Sequence, residues 1–186
     1  MAQERKNVIT LKGKPFTLVG PELKVGDQAP DFQVAAGDLS MWTLDNFKGK
    51  IKLFCAVPSL DTPVCAEETK RFNQEAAILP EQVAIVVISC DLPFAQGRFC
   101  GTANIDKVKT LSDYKDVSFG ESWGVLIKEL RILARAVFVV DQNNKIHYIE
   151  IVKEVANYSN YDKALQAVHE LVKGTGSKAV VGAGKK

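Results

Sequence analysis

The sequence predicts a single α/β domain, with a mixed central sheet flanked by helices and a β-hairpin at its N-terminus. Three observations predict it. Ile51 to Val57, Val83 to Ser89 and Arg135 to Val140 are nearly continuous apolar runs, the pattern of strands buried on both faces of a sheet. After the first run comes Thr62-Pro63, suited to the cap and first position of a helix. Strands alternating with crossovers, then a hairpin and a last helix, describe one sheet layered with helices. A chain of 186 residues that is 46% hydrophobic buries one full core, so one domain over 1–173 is expected. Residues 174–186 are small, polar and basic, and are expected to form a flexible tail.

Taken in order, residues 8–11 and 15–19 read as two strands joined by a turn through Gly13, an N-terminal hairpin over about 8–19. Gly20-Pro21 ends it. Residues 25–32 form an extended connector, since Pro30 pushes its predecessor away from helical dihedrals. A short strand at 32–34 and a turn at 45–50 follow. After the strand at 51–57, Pro58 breaks the run and a helix is expected over about 63–78, with Phe72, Ala76 and Leu79 on its inner side. Residues 83–89 are the clearest central strand. Asp91-Leu92-Pro93 begins a second crossover, helical through Arg98 and ending near Gly101. A third parallel strand is expected at 108–112, a short helix at 119–126, and a strand at 135–140. The turn at 141–144 returns the chain as an antiparallel strand over 145–152. Ala164, Leu165, Val168, Leu171 and Val172 make the apolar face of a closing helix over 161–172.

Composition narrows the function classes. Lys and Arg total 24 against 22 Asp and Glu, which gives no electrostatic reason to expect nucleic acid or an anionic membrane as partner. No apolar run is long enough to span a bilayer, and the N-terminus lacks a signal-peptide core, so a cytoplasmic protein is expected. Cysteines at 55, 65, 90 and 100 are too few for a secreted disulfide scaffold and lack the spacing of a zinc site. No metal or cofactor is expected.

Chemistry centres on Cys65. It falls near the third position of the helix that begins at Pro63, where free N–H groups and the positive end of the helix dipole favour a thiolate. Cys55, within an apolar strand, reads as an inert core thiol, and Cys90, at a strand end, also reads as structural. A cysteine hydrolase needs a base, and neither His147, on a hairpin strand, nor His169, on the last helix, is well placed. A thioredoxin-type exchange motif is missing, since Glu68 stands three residues after Cys65. What remains is a thiolate suited to attack a soft electrophile such as a peroxide oxygen. Read alone, Thr62 is an N-cap and Arg135 a surface ion-pair partner.

Pro58-Ser59-Leu60-Asp61-Thr62-Pro63-Val64-Cys65 resembles the P-x-x-x-T-x-x-C motif of peroxiredoxins. Asp91 to Cys100 is similar to the segment that carries the resolving cysteine in their thiol peroxidase subfamily, the atypical 2-Cys type. The likeness extends over the N-terminal hairpin, residues 26–32 and 134–137, nearly all of the chain except the tail. It implies a thioredoxin-like fold, usually as a homodimer, that reduces hydrogen peroxide and organic hydroperoxides with electrons from thioredoxin.

Residue by residue, the resemblance assigns Cys65 as peroxidatic and Cys100 as resolving. Thr62 matches the hydroxyl that contacts thiolate and peroxide, Pro58 the residue that shields the site from water, and Arg135 the guanidinium that stabilises thiolate and transition state. Two features depart from the pattern: Cys90 is an extra thiol near the site, and Arg131 a second cation beside Arg135. Lys70, five residues after Cys65, speaks against a resolving thiol one helical turn away. A 65 to 100 disulfide would close a loop of about 35 residues, worth roughly 4 kcal/mol of constraint on the unfolded chain. It also requires local rearrangement, because a thiol in a helix's first turn is poorly placed to meet disulfide geometry. A redox sensor or holdase built on the same disulfide, and a general disulfide oxidoreductase, are the rival readings.

Overall fold

A computed structural model describes residues 3–179. The chain opens with a hairpin, β1 (Glu4–Leu11) and β2 (Lys14–Val19), whose first strand starts four residues earlier than expected and carries an irregularity between Arg5 and Ile9. Short strands β3 (Val34–Ala35) and β4 (Met41–Trp42) follow, and the expected turn at 45–50 includes a 3-10 helix at Leu44–Phe47. The crossover region runs β5 (Ile51–Ala56), α1 (Pro63–Ala76), β6 (Val83–Ser89), α2 (Pro93–Ala103) and β7 (Lys109–Ser112). Next come α3 (Ser118–Ser122), β8 (Leu126–Ile127), β9 (Ile132–Leu133), β10 (Ala136–Val140), β11 (Ile146–Ile151) and α4 (Tyr161–Ala179).

Two sheets result. The central one has the order β11-β10-β5-β6-β7-β3-β4, with β5, β6 and β7 parallel and the remaining neighbours antiparallel. It is the mixed sheet the apolar runs predict. The second, β1-β2-β8-β9, arises because the expected helix at 119–126 stops at Ser122, and the chain then pairs Leu126 and Ile127 with Leu133 and Ile132. Gly124, at φ +67°, makes that early stop, and a Cβ there would lie 2.0 Å from the Pro21 carbonyl oxygen. The hairpin thus docks closely on this turn.

The period-2 alternation of β5 divides the core. Ile51, Leu53 and Cys55 face one side, where Phe72 of α1, Phe99 of α2 and Ala164, Leu165 and Val168 of α4 complete an apolar layer. Consecutive right-handed crossovers place α1 and α2 on this same face. Phe54 and Ala56 face the other layer, an aromatic cluster with Phe32, Phe119, Trp123 and Phe138. Phe119 and Trp123 stack at 4.9 Å, and the indole N–H donates to the Pro30 carbonyl at 3.1 Å.

Asn104, in the left-handed conformation, ends α2. The closing helix runs on through Gly174-Thr175-Gly176-Ser177 to Ala179, so residues 174–179 of the expected tail are helical, and the rest of that expectation, residues 180–186, lies outside the described residues. Among the described residues, no helix is long and apolar enough to cross a membrane.

Candidate active site

Cys65 occupies the third position of α1, as the Thr62-Pro63 start predicts, and it is fully buried. Thr62 has the extended backbone of an N-cap, but its hydroxyl makes no cap bond; it donates instead to the Ser59 carbonyl at 2.9 Å. The turn preceding the helix is anchored by Asp91, at the end of β6. Its carboxylate accepts from the Ser59 hydroxyl and the Leu60 N–H, both at 2.8 Å. The Ser89 hydroxyl also donates to it at 2.8 Å. The strand-to-helix turn is therefore stapled across the carboxyl ends of two parallel strands, where open α/β sheets place their sites.

Arg135 reaches this turn by strand register. Ala136 pairs with Ala56 in the antiparallel β10-β5 ladder, so the residue before Ala136 lies beside the chain just beyond Ala56. Its Nη2 donates to Cys65 Sγ at 3.2 Å, and the side chain is only 2% exposed, so it is no surface ion-pair partner. Nε donates to the Val155 carbonyl at 3.1 Å, and Nη1 forms an ion pair with Glu68. Burial alone would lower the Arg135 pKa, but the facing charges of Cys65 and Glu68 overcome it and hold the group above its ordinary value.

Glu68 joins this group, although the motif reading gave it no role there. It is completely buried, three residues after Cys65 on the same helix face, and accepts a further bond from Ser159. Burial raises its pKa, while the hydrogen bonds from Ser159 and Arg135 and the Arg135 charge act in the opposite direction. A carboxylate at helical spacing from the thiol was the signal available in the sequence. Cys55 is buried in the apolar layer, as expected; burial first, then the Glu68 charge, push its thiol well up.

A cavity of about 680 Å³ adjoins the turn. Pro58, Thr62, Val64, Cys90, Arg131 and Arg135 are among its walls. Arg135 is thus shared by the cavity and the buried sulfur. Arg131, held at φ +52°, lines the cavity and lies near Cys90, but of the two arginines it is Arg135 that bonds to the Cys65 sulfur. Burial and then the Asp113 charge push the Cys90 thiol up to about 12, leaving it protonated at neutral pH.

Cys100 lies apart from these groups. It sits on α2, partly buried at the edge of the helical layer that includes Cys65, and its Sγ stands 3.5 Å from the Thr110 hydroxyl on β7. It borders a separate recess with Gly101, Asn104, Ile105 and Asp106. All four cysteines are free thiols. His147, exposed on β11, pairs with Asp141 at 3.0 Å, and His169 is exposed on α4, so neither reaches the site.

Comparison with known proteins agrees with this geometry. The Redoxin family model matches residues 24–165. A Bacillus subtilis protein named thiol peroxidase is 56% identical over 165 residues, covering 89% of this chain and 98% of its own length. A thiol peroxidase of Staphylococcus aureus (strain MRSA252) is 51% identical over 159 residues, covering 86% of this chain and 96% of its own. The crystal structure of a peroxiredoxin-like protein from Aquifex aeolicus superposes with a TM-score of 0.83 at 46% identity, covering 89% of this chain and 97% of that one. The mixed sheet and flanking helices are a thioredoxin-like arrangement of the peroxiredoxin kind.

Proposed function

This chain belongs to the Redoxin family and is a thiol-dependent peroxidase, and on that premise we propose that Cys65 is the peroxidatic residue, Arg135 its electrostatic partner and Cys100 the resolving residue. The observation that carries the reading is the buried guanidinium of Arg135 at 3.2 Å from the Cys65 sulfur.

The Cys65 thiolate attacks the terminal peroxide oxygen; the sulfur–oxygen bond forms as the oxygen–oxygen bond breaks, and the departing alkoxide or hydroxide takes a proton to leave as alcohol or water. Negative charge moves from sulfur to the leaving oxygen. A donor already fixed at that point, in a water-poor cavity, lowers the barrier without reorganising. Pro58 shields the cavity mouth. The Thr62 hydroxyl, bonded to Ser59 in this state, turns towards thiolate and peroxide when substrate enters.

The sulfenic acid then condenses with Cys100, releasing water and forming the 65 to 100 disulfide. Cys100 stands at Thr110 over β7, whereas Cys65 is bonded to Arg135 beside β10, so the helix start at 62–66 or the segment around Cys100 rearranges to bring their Cα atoms within about 7 Å. Cys90, protonated at neutral pH, competes poorly for the sulfenate. Thioredoxin supplies the two electrons that restore both thiols, and hydrogen peroxide and organic hydroperoxides are the substrates. The chain acts in the cytoplasm, as a homodimer of protomers whose residues 1–173 form one domain.

Steady peroxide consumption with thioredoxin, its reductase and NADPH, abolished in Cys65→Ser, tests the reading. A protein that forms the disulfide once without sustained turnover would be a sensor instead.

A further inference from the structure

The polar groups behind Cys65 converge on one carboxylate. Glu68 is fully buried and receives Arg135 Nη1 and the Ser159 hydroxyl, donors from two separate segments of the chain. Ser159 is itself 5% exposed and has no role in the motifs of the sequence. The same stretch supplies the Val155 carbonyl that accepts from Arg135 Nε. Thus the segment from Val155 to Ser159 holds Arg135 directly and holds it again through Glu68.

We propose that Ser159 is a positioning residue for the chemistry at Cys65: it fixes the Glu68 carboxylate, which in turn aims the Arg135 guanidinium at the sulfur. This rests on the reading of Cys65 as the attacking thiolate. A buried carboxylate with a missing donor is costly, and a half-satisfied network settles into other arrangements. Without the Ser159 hydroxyl, Glu68 gains more by taking a proton or rotating. Either change removes one of the groups that orient Arg135, and the donor to Cys65 loses its fixed direction. The other titratable groups facing Glu68 are Cys55 from β5, Cys65 from its own helix, Arg135, and the phenols of Tyr158 and Tyr161. Tyr158 donates to the neighbouring Glu67 at 2.6 Å, so it does not replace Ser159.

The test measures two quantities at Cys65: the pH midpoint of its alkylation by iodoacetamide, followed on the Cys65 peptide, and the second-order rate of its oxidation by hydrogen peroxide. Ser159→Ala is expected to move the midpoint upward and slow oxidation by about tenfold at neutral pH. Ser159→Thr, which keeps the hydroxyl, is expected to restore both. A Ser159→Ala protein that loses thermal stability while the midpoint and rate stay within about twofold of wild type overturns the proposal. Should Ser159→Ala not fold, Ser159→Gly and Ser159→Thr decide: the donor-free variant should show the shift and the hydroxyl variant should not, and equal behaviour overturns the proposal. If peroxide consumption with the thioredoxin system persists in Cys65→Ser, the reading of Cys65 falls instead.

Discussion

Nη2 of Arg135 and Sγ of Cys65 are 3.2 Å apart, and both side chains are buried. One guanidinium nitrogen faces the sulfur while another is paired with Glu68, so the planar fork, and not charge alone, joins thiol to carboxylate. Arg135→Lys keeps the charge but cannot make both contacts. Its kcat/KM for peroxide should fall by about 100-fold, the usual scale for losing one preorganised donor. Stopped-flow oxidation at neutral pH measures it.

Asp91 ties the active-site turn to the end of β6 through Ser59 and Leu60. Asp91→Ala leaves the Leu60 N–H and the Ser59 hydroxyl without that acceptor, at a cost of about 1–3 kcal/mol in stability. Amide hydrogen exchange should rise over residues 58–62 more than over β5, which has its own ladder bonds. Uniform exchange across both would contradict the stapling role.

Burial holds the Cys90 thiol up near 12, so in a Cys65→Ser, Cys100→Ser protein its alkylation should stay slow up to about pH 10. Labelling with the ordinary thiol midpoint of about 8.5 would make Cys90 a credible rival to Cys100.

Asp113 caps α3, its two oxygens accepting from Phe119 N–H at 3.0 Å and Gly120 N–H at 2.8 Å. Burial nevertheless raises its pKa from 3.8 to about 6. A raised folded-state value means that the native protein holds a proton the unfolded chain has already released. This contribution to stability therefore falls as pH rises from about 4 to about 6 and is constant above that. Chemical denaturation of Asp113→Asn across this window should show a smaller decline with pH than the wild type.

The central sheet was legible because strands buried on both faces need nearly continuous apolar runs, and Ile51 to Val57, broken only by Lys52 and stopped by Pro58, is one. Only the hairpin half of the second sheet was. Its strands β8 and β9 are two residues each, and nothing local distinguishes Leu126-Ile127 from the end of a helix; the stop is imposed by Gly124 packing on Pro21, a contact 103 residues apart in sequence. Cys65 and its helix position could be read from Thr62-Pro63, because capping is local. The depth of Arg135 depended on the β10 register, and the Glu68 network on the remote hydroxyl of Ser159, so Arg135 alone suggested a surface pair.

The central claim is that Cys65 and Cys100, apart in the reduced protein, are the two sulfurs of one catalytic cycle. Its most direct test is a non-reducing peptide map after one equivalent of hydrogen peroxide. An intrachain bridge between Cys65 and Cys100 is the predicted product, with Cys55 and Cys90 still free; a 65 to 90 bridge, or a disulfide between two chains, would contradict the resolving assignment.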